Sequence, residues 1–257
     1  VRKRLRDTDR QENGTPIPLM DARKIARIVM PLGVIFWVAA LILWWQGGLD
    51  KATLFYFDPA RVAYTPFVAV MKWLSRYGMS LTAVLMALYL IATHFMKSLN
   101  APRTIYLYTI FSMALSGIGG DLLKLIIQRP RPVEIFTDQV FVLSDATSTA
   151  IPSGHATKSV ALAIPFLFLV LSSSRWDKGM KCILSLIAGG VCLSRIVLGA
   201  HYVSDVLAGI GTALIGLPLT MIFSNMVLKQ SSQEQLPMMS KIWGVLLVAL
   251  SVIFMLI

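Results

Sequence analysis

The sequence predicts an all-α, polytopic membrane helix bundle, and three observations carry that prediction. The 257 residues are 56% hydrophobic and only 14% charged, with a mean hydropathy of +0.70, far more apolar than a water-soluble domain requires. The apolar residues also come in long runs that lack the period-two alternation of strands. A run of about 20 such residues crosses a hydrocarbon core as a helix, and helices satisfy their own backbone groups in lipid.

Seven runs are read as spans: 28–46, 78–96, 104–124, 156–174, 181–199, 202–226 and 241–257. The first follows a polar, basic segment, "VRKRLRDTDRQ", that has no small-residue cleavage site after it, so it reads as a retained anchor rather than a removed signal. "VAYTPFVAVMKWL" is too short to cross and suits an amphipathic helix on the outer surface. Trp37, Trp44, Trp45 and Trp73 read as interfacial anchors, and His94 as an interfacial residue near the other end of the second span. Gly117, Gly119, Gly120, Gly189, Gly190, Gly209 and Gly211 read as small-residue packing positions, and Pro165 as a kink. Cys182 and Cys192 lie ten residues apart on one helix, which excludes a disulfide between them, and no Cys/His cluster suggests a metal.

Charge orients the bundle. Alternating the seven spans puts fifteen of the 24 Lys and Arg residues on the side of the N-terminus, which is therefore cytoplasmic. The excess of +11 then reflects topology and anionic headgroups, not nucleic-acid binding. The same alternation gathers Lys124, Arg131, His155, Arg195, His201 and Asp205 at the outer surface. Ionisable residues at membrane depth are costly and face a bundle interior or a water-filled cavity. Several cations with two imidazoles suit an anion, above all phosphate.

Three stretches supply the chemistry. In "RIVLGAHYVSD", His201 and Asp205 are four apart, so a carboxylate can hold one ring nitrogen and leave the other as a nucleophile or base. Gly199 turns the chain so that Arg195 points back into the same pocket. In "IPSGHATKS", Pro152 and Ser153 start a helix whose free amides suit an oxyanion, and His155 on its first turn is placed to protonate a leaving oxygen. In "KLIIQRPRP", Pro130 and Pro132 extend the chain around Arg131, while Lys124 ends the preceding helix.

Together these pieces resemble the type-2 phosphatidic acid phosphatase superfamily. Its pattern is met by Lys124 with Arg131-Pro132, by Pro152-Ser153-Gly154-His155, and by Ser194-Arg195 with His201 and Asp205. The resemblance covers residues 28 to 226 and implies a six-span phosphatase core, to which 241–257 adds a seventh hydrophobic helix. Residues 1–27 are then a basic cytoplasmic segment and 227–257 a linker with the extra helix. The resemblance further implies that His201 attacks phosphorus, Asp205 holds its ring, and His155 serves as acid and then base. Lys124, Arg131, Arg195, Ser153 and the Gly154 amide would bind phosphate, without metal or cofactor. Ala156 departs from a frequent Thr. Lys158 and Arg129 are accessory candidates for a second phosphate or headgroup, and residues 133–151 a candidate lid over the pocket.

The expected activity is therefore hydrolysis of a lipid phosphomonoester or diphosphate, in the bilayer of a bacterial inner membrane, with the site on the outer face. Undecaprenyl diphosphate, phosphatidylglycerophosphate, phosphatidic acid and lipid A are the substrates the resemblance suggests. Two rivals are a lipid-to-lipid phosphotransferase with the same site and a non-enzymatic anion channel or transporter. The channel has no use for a Pro-Ser-Gly-His turn or for a His–Asp pair at helical spacing.

Overall fold

A computed structural model describes residues 22–57, 65–92, 95, 105–136, 148–170 and 174–230. Among them every regular element is helical: α1 (Ala22–Gln46), α2 (Gly48–Tyr56), α3 (Pro66–Ala92), α4 (Ile105–Ile127), α5 (Pro132–Ile135), α6 (Gly154–Leu169), α7 (Arg175–Val197) and α8 (Val203–Gln230).

The all-α class holds, but the span count does not. Four helices among the described residues are long and apolar enough to cross a membrane, Arg23–Gln46, Ile105–Ile135, Arg175–Val197 and Val203–Val227, not six plus a seventh. The physical reasons differ by segment. α6 has 16 residues, about 24 Å of helix against about 30 Å of hydrocarbon. α3 runs 27 residues as one helix, merging the expected surface helix with the expected second span, so Lys72 and Arg76 interrupt its apolar run. No Pro breaks it after its first residue, and Gly78 sits where a Cβ would come within 2.3 Å of Val191 Cγ2, so α7 packs directly on its backbone. The segment 241–257, His94 and residues 137–147 of the expected lid lie outside the described residues.

α8 is the central element, packing along α1 and against α4 and α6, while α3 lies on α7 and α7 on α6. Buried Tyr106, Phe166, Leu169, Leu217 and Met221 belong to one core cluster joining α4, α6 and α8. The α1–α8 crossing is close because Gly33 and Gly211 face each other: a Cβ on Gly211 would lie 2.8 Å from the Gly33 carbonyl oxygen and 2.7 Å from Trp37. Trp37 is thus a packing residue, whereas Trp45 is 92% exposed, as an anchor should be. Gly119 and Gly189, by contrast, have open space where a side chain would sit.

Three turns bring functional segments to one end. Gly47 at φ 64° reverses the chain from α1 into α2. Gln128, at φ 50°, ends α4 and leads into the extended "RPRP". Gly199, at φ 68°, makes the turn between α7 and α8, where the Ala200 and His201 amides donate to the Arg195 carbonyl at 3.1 Å each.

Candidate active site

One end each of α4, α6, α7 and α8 meet around His201, which is only 2% exposed. On one side of the ring, Nδ1 faces Asp205 Oδ2 at 3.4 Å. On the other, Nε2 lies 3.3 Å from Arg131 Nη1. A guanidinium only donates, so Nε2 is the acceptor in that contact and Nδ1 bears the hydrogen that faces the carboxylate. The lone pair of Nε2 therefore looks into the cationic side of the site. Burial, with Arg131, Arg195 and Lys124 nearby, holds the His201 imidazole well below its ordinary value of 6.5, against the opposing pull of the Ala150 backbone.

The cationic side is built from four helix ends. Arg131 also donates to the Ala200 carbonyl at 3.0 Å, and to the Ser148 carbonyl and hydroxyl. Lys124 donates to the same Ser148 hydroxyl at 3.1 Å, and its Nζ would be 3.6 Å from a Cβ on Gly154. Ser148 thus couples two cations through one side chain. Arg195 is buried and donates to the Ser75 hydroxyl on α3. His155 feels the fields of Arg195, His201, Lys158 and Lys124, which puts both imidazoles in one electrostatic neighbourhood. Lys158 is half-buried one turn further into the bundle, its Cε 3.2 Å from where Gly117 would carry a Cβ.

Ser153 caps α6, yet its buried hydroxyl has no partner among the described residues. Its amide donates to the Asp205 carbonyl at 2.9 Å, fixing the start of α6 against α8. Gly209 makes that approach possible, since a Cβ there would lie 2.8 Å from the Ser153 carbonyl oxygen. An unused hydroxyl beside a helix N-terminus is suited to an anionic oxygen.

Arg129 departs from its expected place among the accessory phosphate ligands. It is buried, donating to Asp50 at 2.9 Å, Asp205 at 2.6 Å and Ser204 at 2.6 Å. Its guanidinium stacks on Tyr202 at 4.2 Å and Trp44 at 5.0 Å. Arg129 and Arg131 both point inward, as i and i+2 of an extended chain do, with Pro130 exposed between them. Asp50, Ser75, Ser148, Tyr202 and Ser204 were not singled out from sequence. Asp50 carries the one available signal, an acidic residue in the first turn of a short helix, which reads simply as favourable to the helix dipole.

Among the described residues no group of His, Cys, Asp and Glu is suited to hold a metal ion. The chain matches the PAP2 superfamily over residues 105–237, more than half its length and all three of its motifs. The chain belongs to the PAP2 superfamily. A crystal structure of a transmembrane PAP2-type phosphatidylglycerolphosphate phosphatase from Bacillus subtilis is similar in fold, with 21% sequence identity, a TM-score of 0.52, and coverage of 77% of this chain and 95% of that one. No curated protein sequence matches the chain. Asp50 and Ser75 lie before the stretch matched by the PAP2 family, yet both enter its site.

Proposed function

We propose that this PAP2 protein is an integral membrane lipid phosphatase acting through a phosphohistidine on His201. The observation that carries the proposal is the ring's two-sidedness: Nδ1 faces a carboxylate while Nε2 faces a group of cations. That arrangement fits an anionic phosphoryl group drawn to the one nitrogen whose lone pair is available.

Nε2 attacks phosphorus and the bond from phosphorus to the leaving oxygen breaks. His155 gives that oxygen a proton, so the lipid departs as an alcohol, or as a monophosphate when the substrate is a diphosphate. His155 then takes a proton from water, whose oxygen attacks the phosphorus, and His201 is regenerated as inorganic phosphate leaves. Lys124, Arg131, Arg195, the Ser153 hydroxyl and the Gly154 amide spread the charge of the trigonal-bipyramidal transition state. Asp205 keeps the imidazole in the required tautomer.

The site lies among helix ends, where the phosphate of an amphiphile would be received while its chains stay in lipid. Arg23, Lys24 and Arg27 start α1, and Arg175, Lys178 and Lys181 start α7, both at the end of the bundle away from His201. Basic residues favour the cytoplasmic side, so the site faces outward from an inner membrane. Undecaprenyl diphosphate, phosphatidylglycerophosphate, phosphatidic acid and lipid A phosphates form the substrate panel.

The test is phosphate release by purified protein across that panel, counted against lipid consumed. One phosphate per lipid, inhibition by vanadate and persistence of turnover in EDTA are expected. Lipid phosphorylated at the expense of another lipid would instead identify a phosphotransferase, and full turnover by His201→Ala would refute the mechanism.

A further inference from the structure

Asp205 is tied to Arg129 more closely than to His201. Arg129 Nη1 lies 2.6 Å from its Oδ1, whereas His201 Nδ1 is 3.4 Å from its Oδ2. A buried cation at that distance cancels most of the field the carboxylate exerts on the ring. Left to themselves, Arg129 and Asp205 would form a neutral pair, and His201 would face Arg131, Arg195 and Lys124 with His155 nearby and no net negative charge behind it.

Asp50 changes that sum. Only 2% exposed, it accepts from Arg129 Nη2 at 2.9 Å, from the Ser204 amide at 3.0 Å and from the Ser204 hydroxyl. Ser204 adjoins Asp205, so Asp50 grips the first turn of α8 by backbone and side chain alike. The buried cluster of Asp50, Arg129 and Asp205 carries one net negative charge rather than none. Its geometry is fixed by rings as well as charges, since the guanidinium lies over the rings of Tyr202 and Trp44. Two carboxylates and one guanidinium, each with several hydrogen bonds, form the kind of network that can remain ionised when buried.

We propose that Asp50 is a positioning residue for phosphoryl transfer: it offsets Arg129, so that Asp205 presents its negative charge to His201 while being held rigidly in place. The proposal rests on His201 being the nucleophile. Asp50 touches neither His201 nor the phosphate cradle, and it acts only through Arg129, Ser204 and Asp205.

The experiment is a double-mutant cycle on the full-length protein, read by rapid-quench formation of acid-labile phosphoenzyme and by vanadate binding. Asp50→Asn keeps the shape and removes the charge. The rate of phosphoenzyme formation is expected to fall about tenfold or more, one order being the effect of a shift of about one pKa unit in a neighbouring group. Vanadate affinity should stay within about twofold, because the cradle is untouched. In an Arg129→Gln background there is no cation to offset, so adding Asp50→Asn is expected to slow the step by less than about twofold. A merely structural Asp50 would slow both backgrounds alike.

A wild-type phosphoenzyme rate in Asp50→Asn, or an equal loss in both backgrounds, would overturn the proposal. Should Asp50→Asn fail to fold, Asp50→Glu, which keeps the charge, is expected to form phosphoenzyme within about threefold of wild type, and a loss of about tenfold or more there would overturn the proposal. Phosphoenzyme formation by His201→Ala would be a separate outcome, and would remove the nucleophile assignment instead.

Discussion

The two faces of His201 obey different electrostatic rules. Behind the ring, Arg129 meets Asp50, Asp205 and Ser204, so every charge there has an opposite partner and one negative charge is left over beside the ring. In front of it, Lys124, Arg131 and Arg195 crowd together, and among the described residues Lys124 and Arg131 donate to neutral groups. Those groups are the Ser148 hydroxyl and the Ala200 carbonyl, while Arg195 reaches the Ser75 hydroxyl on α3. Crowded like charges are costly, and the proposed phosphate substrate would offset that cost when it arrives. On the proposed function, the matched layer holds the ring and the cationic layer receives the phosphate.

Removing the ring between the layers should have the largest effect. His201→Ala is expected to lower turnover by about 10⁴-fold or more, and His155→Ala by about 10²–10⁴-fold, while both proteins keep their thermal unfolding profile in detergent. Phosphate release against a lipid phosphate panel checks the first part and a melting curve the second. Activity within tenfold of wild type for either variant would separate the cation cluster from the chemistry.

The sharpest contrast uses one substitution twice. Arg131→Met removes a cation from the cationic layer, and kcat should fall about 10²-fold or more with little loss of stability, because the neighbouring cations repel one another less. Arg129→Met strands Asp50 and Asp205 as buried carboxylates without their cation, and should destabilise the fold by about 3–5 kcal/mol. Unfolding measured beside single-turnover kinetics would show the two variants failing in opposite ways. Similar losses of stability in both would erase the distinction between the layers.

The front layer and Asp205 are legible in the sequence, and the rest of the back layer is not. The front layer sits inside three motifs at fixed spacing, and placing their helix ends on one surface gathers Lys124, Arg131, His155, Arg195 and His201, with Asp205 behind the ring. The back layer depends on Asp50 and Arg129, 79 residues apart on separate elements, with no local pattern to join them. Arg129 sits two residues from Arg131, and spacing alone does not say which partner a buried guanidinium meets. The span count failed for a related reason. Hydropathy finds apolar runs, but α3 continues through Lys72 and Arg76 because its packing on α7 keeps it helical, and α6 stops at Leu169 before reaching full span length.

The pH profile examines the front layer without mutation. Burial and the facing cations depress His201 well below 6.5, so its imidazole takes up a proton only after the pH has dropped past that lowered value. The nucleophile therefore stays neutral through the mildly acidic range, and the acid limb of kcat/KM, which reports the free enzyme, is expected well below pH 6.5. The same depression makes the fold less stable in acid, since the unfolded chain binds a proton at His201 that the folded protein refuses. A limb at pH 6.5 would mean that the cations do not act on the ring.

Lys158 marks the edge of the cationic layer, and the smallest effect belongs there. It lies one turn along α6 from His155, only half-buried, with its stem against Gly117 on α4. Its field reaches both Lys124 and His155, so it belongs to the same cationic patch. It makes no contact with His201 that would place it on the attacked phosphorus. A compact ammonium at that distance attracts charge without fixing geometry, unlike the forked guanidinium of Arg131. Lys158→Met preserves the stem and removes only the charge, so kcat should be unchanged within about twofold while KM rises severalfold, because uniform binding is lost and not transition-state binding. The rise should be greater for a lipid diphosphate than for a monophosphate, since only the former has a second anionic group to reach past the first. Steady-state kinetics on a matched pair of lipids differing by one phosphate would measure it. Equal changes for the pair would reduce Lys158 to a general attraction for anionic lipid, and a fall in kcat would move it inward, to the transition state itself.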